Sequence, residues 1–78
     1  MPKLPVITAK TLVSTLKKLG FHPHHQTGSH LQMKHPDGRR TTIPVHSGKD
    51  IRKGTLRAIL RDLNLDPANF IQLLRSKK

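Results

Sequence analysis

The sequence predicts a small α+β domain: a short antiparallel sheet with helices packed on one face. Three observations predict it. Apolar residues recur at helical spacing before residue 20 and again after residue 55. The stretch between them alternates apolar and polar with a period of two. A His-Pro-Asp-Gly-Arg segment, His35 to Arg39, breaks that alternation with strong turn chemistry. Seventy-eight residues suffice for one domain with one modest core, and no internal repeat suggests a second.

The elements follow in order. Residues 1–7 form a Pro-punctuated lead (Pro2, Pro5), expected to be loosely ordered. Thr8 can cap a helix reaching about Leu19, because Ala9, Leu12, Val13, Leu16 and Leu19 make one apolar stripe. Gly20 is the natural stop, since it reaches the left-handed conformation without steric cost. Phe21 to Gln26 reads as a poor strand, His-rich and interrupted by Pro23, which belongs on an edge. Thr27-Gly28 is a turn. In the strand Ser29 to His35, Leu31 and Met33 take one face and His30, Gln32 and Lys34 the other. In Arg40 to Val45, Thr41, Ile43 and Val45 oppose Arg40 and Thr42. A tight hairpin sets like faces together, so His30, Gln32, Lys34, Arg40 and Thr42 should share one exposed face. His46 to Asp50 reads as a polar loop. A second helix from Lys53 to Leu63 buries Leu56, Ile59, Leu60 and Leu63, and Asn64 can close it. Asp66-Pro67 opens a short third helix, with Leu65 and Phe70 placed as a hydrophobic staple. Residues 75–78 form a frayed tail. The order is helix, two or three antiparallel strands, helix, short helix.

Charge narrows the function. Fifteen Lys and Arg face four Asp and Glu, a formal net charge of +11. Such self-repulsion destabilises a short chain unless a polyanion relieves it, and nucleic acid is the default partner. The two aromatic residues, Phe21 and Phe70, read as core, so base stacking should not dominate. With no cysteine there is neither a disulfide framework nor a Cys-based zinc site. No apolar run is long enough to span a membrane, and the start lacks a signal-peptide pattern. The expected setting is the cytoplasm.

Gly28-Ser29-His30 is the segment with chemical promise. Glycine permits a sharp turn, Ser29 offers a hydroxyl and an N–H to a phosphate, and His30 projects beside Lys34 and Arg40. Cleaving RNA without a metal requires taking a proton from the 2′-OH, stabilising charge on the phosphorus, and protonating the departing 5′-oxygen. Histidine transfers protons near neutral pH, and Lys and Arg stabilise the charge. The plainer alternative is a strand histidine that only touches phosphate or solvent, in a non-catalytic RNA-binding module. Lys49, Arg52, Lys53 and Arg57, with Gly54-Thr55 opening a helix, resemble an anion site or else a solvated helix face. His22 and His24 share a strand face by spacing, which invites a metal reading. The absence of cysteine and of any acid within the His22, His24, His25, His30, His35 and His46 set weighs against it. His46 could orient a phosphate or pin its loop.

Several separated motifs in one order carry a family resemblance. They are Leu19-Gly20-Phe21, Gly28-Ser29-His30, His35-Pro36-Asp37-Gly38-Arg39-Arg40, Ile43-Pro44-Val45-His46, and Lys53-Gly54-Thr55-Leu56-Arg57-Ala58-Ile59-Leu60. From about Thr8 to Leu74 the chain resembles the HicA family of bacterial toxins, mRNA interferases of type II toxin–antitoxin pairs. The resemblance implies a fold similar to a double-stranded-RNA-binding domain, with three strands between two helices. It implies a cytoplasmic endoribonuclease that cuts mRNA and blocks translation, with His30 catalytic and neither metal nor other cofactor. Gly28, Thr55 and the basic positions Lys34, Arg40, Lys53 and Arg57 carry over as fold or RNA-contact residues, beside Ser29, read above as a phosphate contact. A HicB-type antitoxin covering the active face is the implied protein partner. The chain departs from the family pattern at Pro23 and His24-His25.

Overall fold

A computed structural model describes residues 4–45 and 50–75. His46 and Lys49, singled out in the sequence, fall outside the described residues. The elements are β1 (Ile7–Thr8), α1 (Ala9–Lys18), β2 (His22–Thr27), β3 (His30–Lys34), β4 (Arg40–Pro44), β5 (Asp50–Ile51), α2 (Lys53–Asp62) and α3 (Pro67–Arg75). Strands β2, β3 and β4 form an antiparallel sheet in that order, and the helix, three strands, helix succession is the one expected.

The helix ends follow their sequence signals closely. Thr8 Oγ1 accepts the Thr11 N–H at 3.2 Å and so satisfies one of the free donors at the start of α1. At the other end Gly20 has φ +100°, Gly20 N–H donates to the Lys17 carbonyl, and Phe21 N–H donates to the Leu16 carbonyl. That pair of bonds is a Schellman motif. Helix α2 ends in the same way, with Asn64 at φ +56°, Asn64 N–H bonded to the Arg61 carbonyl, and Leu65 N–H bonded to the Leu60 carbonyl. Asp66 Oδ1 accepts the Ala68 N–H at 3.3 Å, and Pro67 takes the first position of α3.

Pairing fixes which face each strand residue takes. Met33 lies opposite Thr41 and Leu31 opposite Ile43, while Lys34, Gln32 and His30 lie opposite Arg40, Thr42 and Pro44. The first set turns toward the helices. Leu12, Leu16, Met33, Ile43, Leu56, Leu60, Leu63 and Phe70 are the largest fully buried side chains. Each such aliphatic side chain gains about 1.5–3 kcal/mol from leaving water. Among the described residues no helix covers the opposite face, and His30, Gln32, Arg40 and Thr42 on it are exposed.

Four details differ from the sequence reading. Ser29 lies in the turn, so β3 begins at His30. Asp50, read as loop, pairs with Thr8, and Ile51 pairs with Ile7 in a two-stranded ribbon. Leu4 in the lead is also buried, so the chain joins the core from residue 4 onward. The fourth difference is in β2. It spans His22–Thr27, one residue later than the expected Phe21 to Gln26, and contains a bulge between Pro23 and His25, leaving His24 as the extra residue.

Candidate active site

The turn before His30 dictates where its side chain goes. Gly28 has φ +55° and Ser29 a negative φ, the pattern of a two-residue type II′ hairpin loop. Gln26 Nε2 donates to the Gly28 carbonyl at 3.3 Å, and Val45 N–H donates to the Ser29 carbonyl at 2.6 Å. The turn is therefore braced from both neighbouring strands. His30 leaves it directly onto the open face, exposed, between Thr27 on β2 and Pro44 on β4.

The open face consists of three cross-strand rows. Thr27, His30 and Pro44 make the first, His25, Gln32 and Thr42 the second, and His22, Lys34 and Arg40 the third. None of these positions holds a carboxylate. Lys34 and Arg40 face each other directly, and like charges in that position are destabilising. Among the described residues neither is ion-paired. An anion lying across the sheet relieves that repulsion, so the third row is a natural phosphate contact, two rows from His30.

The bulge changes the histidine arrangement. Simple alternation would put His22 with His24. The inserted residue shifts the phase, so His22 and His25 are the two β2 histidines that share the His30 face. The spacing argument for a His22–His24 pair is thereby corrected. Among the described residues no group of three or more His, Asp and Glu side chains is placed to hold a metal ion.

The remaining predicted contacts are not on this face. Lys53, Thr55 and Arg57 belong to α2, in the helical layer behind the sheet, with Lys53 and Arg57 exposed and Thr55 half-buried. Arg52 caps α2 without any side-chain bond to the helix, so its first N–H groups stay available. The site residues thus divide into a sheet group (Ser29, His30, Lys34, Arg40) and a helix group (Lys53, Thr55, Arg57).

Two features escaped the sequence reading. A cavity of about 440 Å³ wraps over the edge of β4, lined by Gln32, Arg40, Thr41, Thr42 and Asp62. Asp62 is its one acid, and Thr41 Oγ1 approaches it at 3.5 Å. Nothing local in the sequence signals that contact, because the two residues are 21 apart. The second feature concerns His35. Its ring packs edge-on to Phe21 at 4.9 Å, its Nε2 lies 3.1 Å from the Leu19 carbonyl, and its Nδ1 accepts the Asp37 N–H at 3.1 Å. His35 is a structural residue.

With this geometry in place, comparison with known families is decisive. The model of the HicA toxin of bacterial toxin–antitoxin systems matches residues 9–65 of the 78. The chain belongs to the HicA toxin family. No curated protein matches it. The matched span begins with α1 and runs past the end of α2, so it contains the whole sheet, His30 and the α2 contacts. A HicA toxin acts within a toxin–antitoxin pair, and the strongly basic surface is the part of this one suited to an acidic partner or target. No helix among the described residues is long and apolar enough to cross a membrane.

Proposed function

We propose that this toxin is an endoribonuclease that cuts mRNA without a metal ion, blocks translation by doing so, and is silenced by a HicB-type antitoxin. The observation that carries the reading is the exposed His30 on the same sheet face as the Lys34–Arg40 row, two rows away, with no carboxylate on that face and neither cation ion-paired among the described residues. RNA supplies its own nucleophile, the 2′-OH. What a protein must add is proton transfer and stabilisation of the charge that builds on phosphorus. His30 is the group for proton transfer. Lys34 and Arg40 hold the phosphate and stabilise its transition state. Ser29 offers its hydroxyl at the turn, and Lys53, Thr55 and Arg57 contact the RNA where it runs past the helical layer. An antitoxin that presents acidic side chains to Lys34 and Arg40 would occupy the phosphate positions and cover His30. Charge complementarity of that kind speeds association as well as fixing register.

The deciding experiment is gel-resolved cleavage of a defined mRNA by pure wild-type and His30→Ala protein, both in EDTA. Cutting by wild type, with His30→Ala binding RNA within a few-fold but not cutting, is the expected result. A His30→Ala protein that cuts as fast as wild type removes His30 from the chemistry. RNA left intact by both proteins favours the non-catalytic RNA-binding module.

A further inference from the structure

The register of the β2–β3 hairpin places a second imidazole on the face of His30. His25 pairs with Gln32, the open-face residue two positions along β3 from His30, and His30 pairs with Thr27, two positions along β2 from His25. The two histidines are therefore diagonal neighbours on one face. Diagonal neighbours in an antiparallel pair stand roughly 7–8 Å apart, still within reach of ring side chains. A phosphate resting between them can meet one ring on each side. The register runs unbroken from the turn to His25, so alternation alone sets residue 25 on the His30 face, and the inserted His24 brings His22 onto it as well.

RNA cleavage of the kind proposed above needs two proton transfers at opposite ends of an in-line displacement. A single fixed imidazole reaches one end. We propose that His25 and His30 form a proton-transfer pair, one taking the 2′-OH proton and the other protonating the departing 5′-oxygen. This assignment rests on the endoribonuclease reading. In the step the 2′-oxygen bonds to phosphorus, the bond from phosphorus to the 5′-oxygen breaks, and the products are a 2′,3′-cyclic phosphate and a 5′-hydroxyl. One ring gains a proton and the other loses one, and exchange with solvent restores both. No oxidant, metal or co-reactant enters the balance. Histidine suits either role because its ordinary pKa lies close to neutral pH.

The neighbouring row fits this arrangement. Lys34 and Arg40 lie beyond Gln32 from His30, so the cations flank the pair without separating it. His25 is exposed, as is His24, so replacing either leaves the core untouched.

The test compares His25→Ala, His30→Ala and His24→Ala on two short RNAs, one ordinary and one with sulfur in place of the bridging 5′-oxygen. Sulfur departs without needing a proton. On ordinary RNA both His25→Ala and His30→Ala should lose about 100-fold or more in kcat, within the usual range for a proton-transfer group, with KM held within a few-fold. His24→Ala should stay near wild type. On the sulfur substrate one of the two impaired variants should recover to near the wild-type rate and the other should not. Thermal melts of the variants matching wild type keep a folding defect from imitating the result. His25→Ala cutting ordinary RNA as wild type does, or neither variant recovering on sulfur, overturns the pair. Wild-type protein that cuts neither substrate overturns the endoribonuclease reading itself and the pair with it.

Discussion

His35 Nε2 lies 3.1 Å from the carbonyl oxygen of Leu19, joining the end of β3 to the last turn of α1. The ring also meets Phe21 edge-on. One hydrogen bond contributes about 0.5–1.5 kcal/mol and an aromatic contact of this kind a similar amount. His35→Ala should therefore lower unfolding free energy by about 2 kcal/mol in urea titration while RNA affinity stays within two-fold. A loss confined to RNA affinity, with stability intact, would give His35 a different role.

Gly20 and Gly38 separate backbone strain from steric conflict. Both have φ near +100°, so an alanine is strained at either. At Gly20 the new Cβ would also lie 2.9 Å from His35 Nε2, whereas at Gly38 it would meet nothing within 4 Å. Gly20→Ala should therefore be the more destabilising, by at least about 1 kcal/mol, because it also displaces the His35 ring. Equal losses in thermal or urea unfolding would show that the His35 contact carries no weight.

Asp37 sets an acid limb. The Arg39 main-chain N–H, at 3.0 Å, is the largest cause holding its carboxyl below its ordinary value of 3.8, with the Arg39 guanidinium adding to it. A carboxylate depressed in the folded state contributes stability that is complete above its unfolded pKa and is lost as pH falls through the folded one. Melting temperature should drop as pH falls through the value 3.8 and below, and Asp37→Asn should flatten that portion of the curve. The carboxyl is exposed, so the effect should be modest and weaker in salt. Identical curves for the two proteins in that window would place the acid sensitivity elsewhere.

Salt dependence reports the phosphate contacts. Each neutralised phosphate adds about −0.7 to the slope of log affinity against log salt for a single strand. Lys34→Gln and Arg40→Gln should each flatten the slope by about that amount in the His30→Ala background, where RNA stays intact. Arg57→Gln measures whether RNA also tracks the helical layer. An unchanged slope in both sheet variants would move the phosphate away from this face.

Much of this molecule is legible in its sequence because its decisive signals are local. Thr8, Gly20, Asn64 and Asp66-Pro67 mark helix ends through short-range chemistry, and each acts where expected. Alternation from His30 to Lys34 and from Arg40 to Thr42 yields the open face, because a hairpin leaves no other parity. The unread parts depend on contacts between distant residues or on interrupted periodicity. The Ile7–Ile51 pairing involves two-residue strands, too short to show a period. In β2 the run His22-Pro23-His24-His25 is polar throughout, so no apolar alternation marks the inserted residue. The His35–Leu19 and Thr41–Asp62 contacts span 16 and 21 residues, beyond any local pattern.

Pro23 and Pro44 sit on the two outer strands of the sheet, at positions the register turns away from β3. Neither has an N–H to offer a passing strand, and Arg40 adds positive charge to the outer strand β4. Two copies brought edge to edge would find gaps in the hydrogen-bond ladder. The chain therefore resists stacking into extended sheets with its own kind, even with one whole face of its sheet left uncovered for something else.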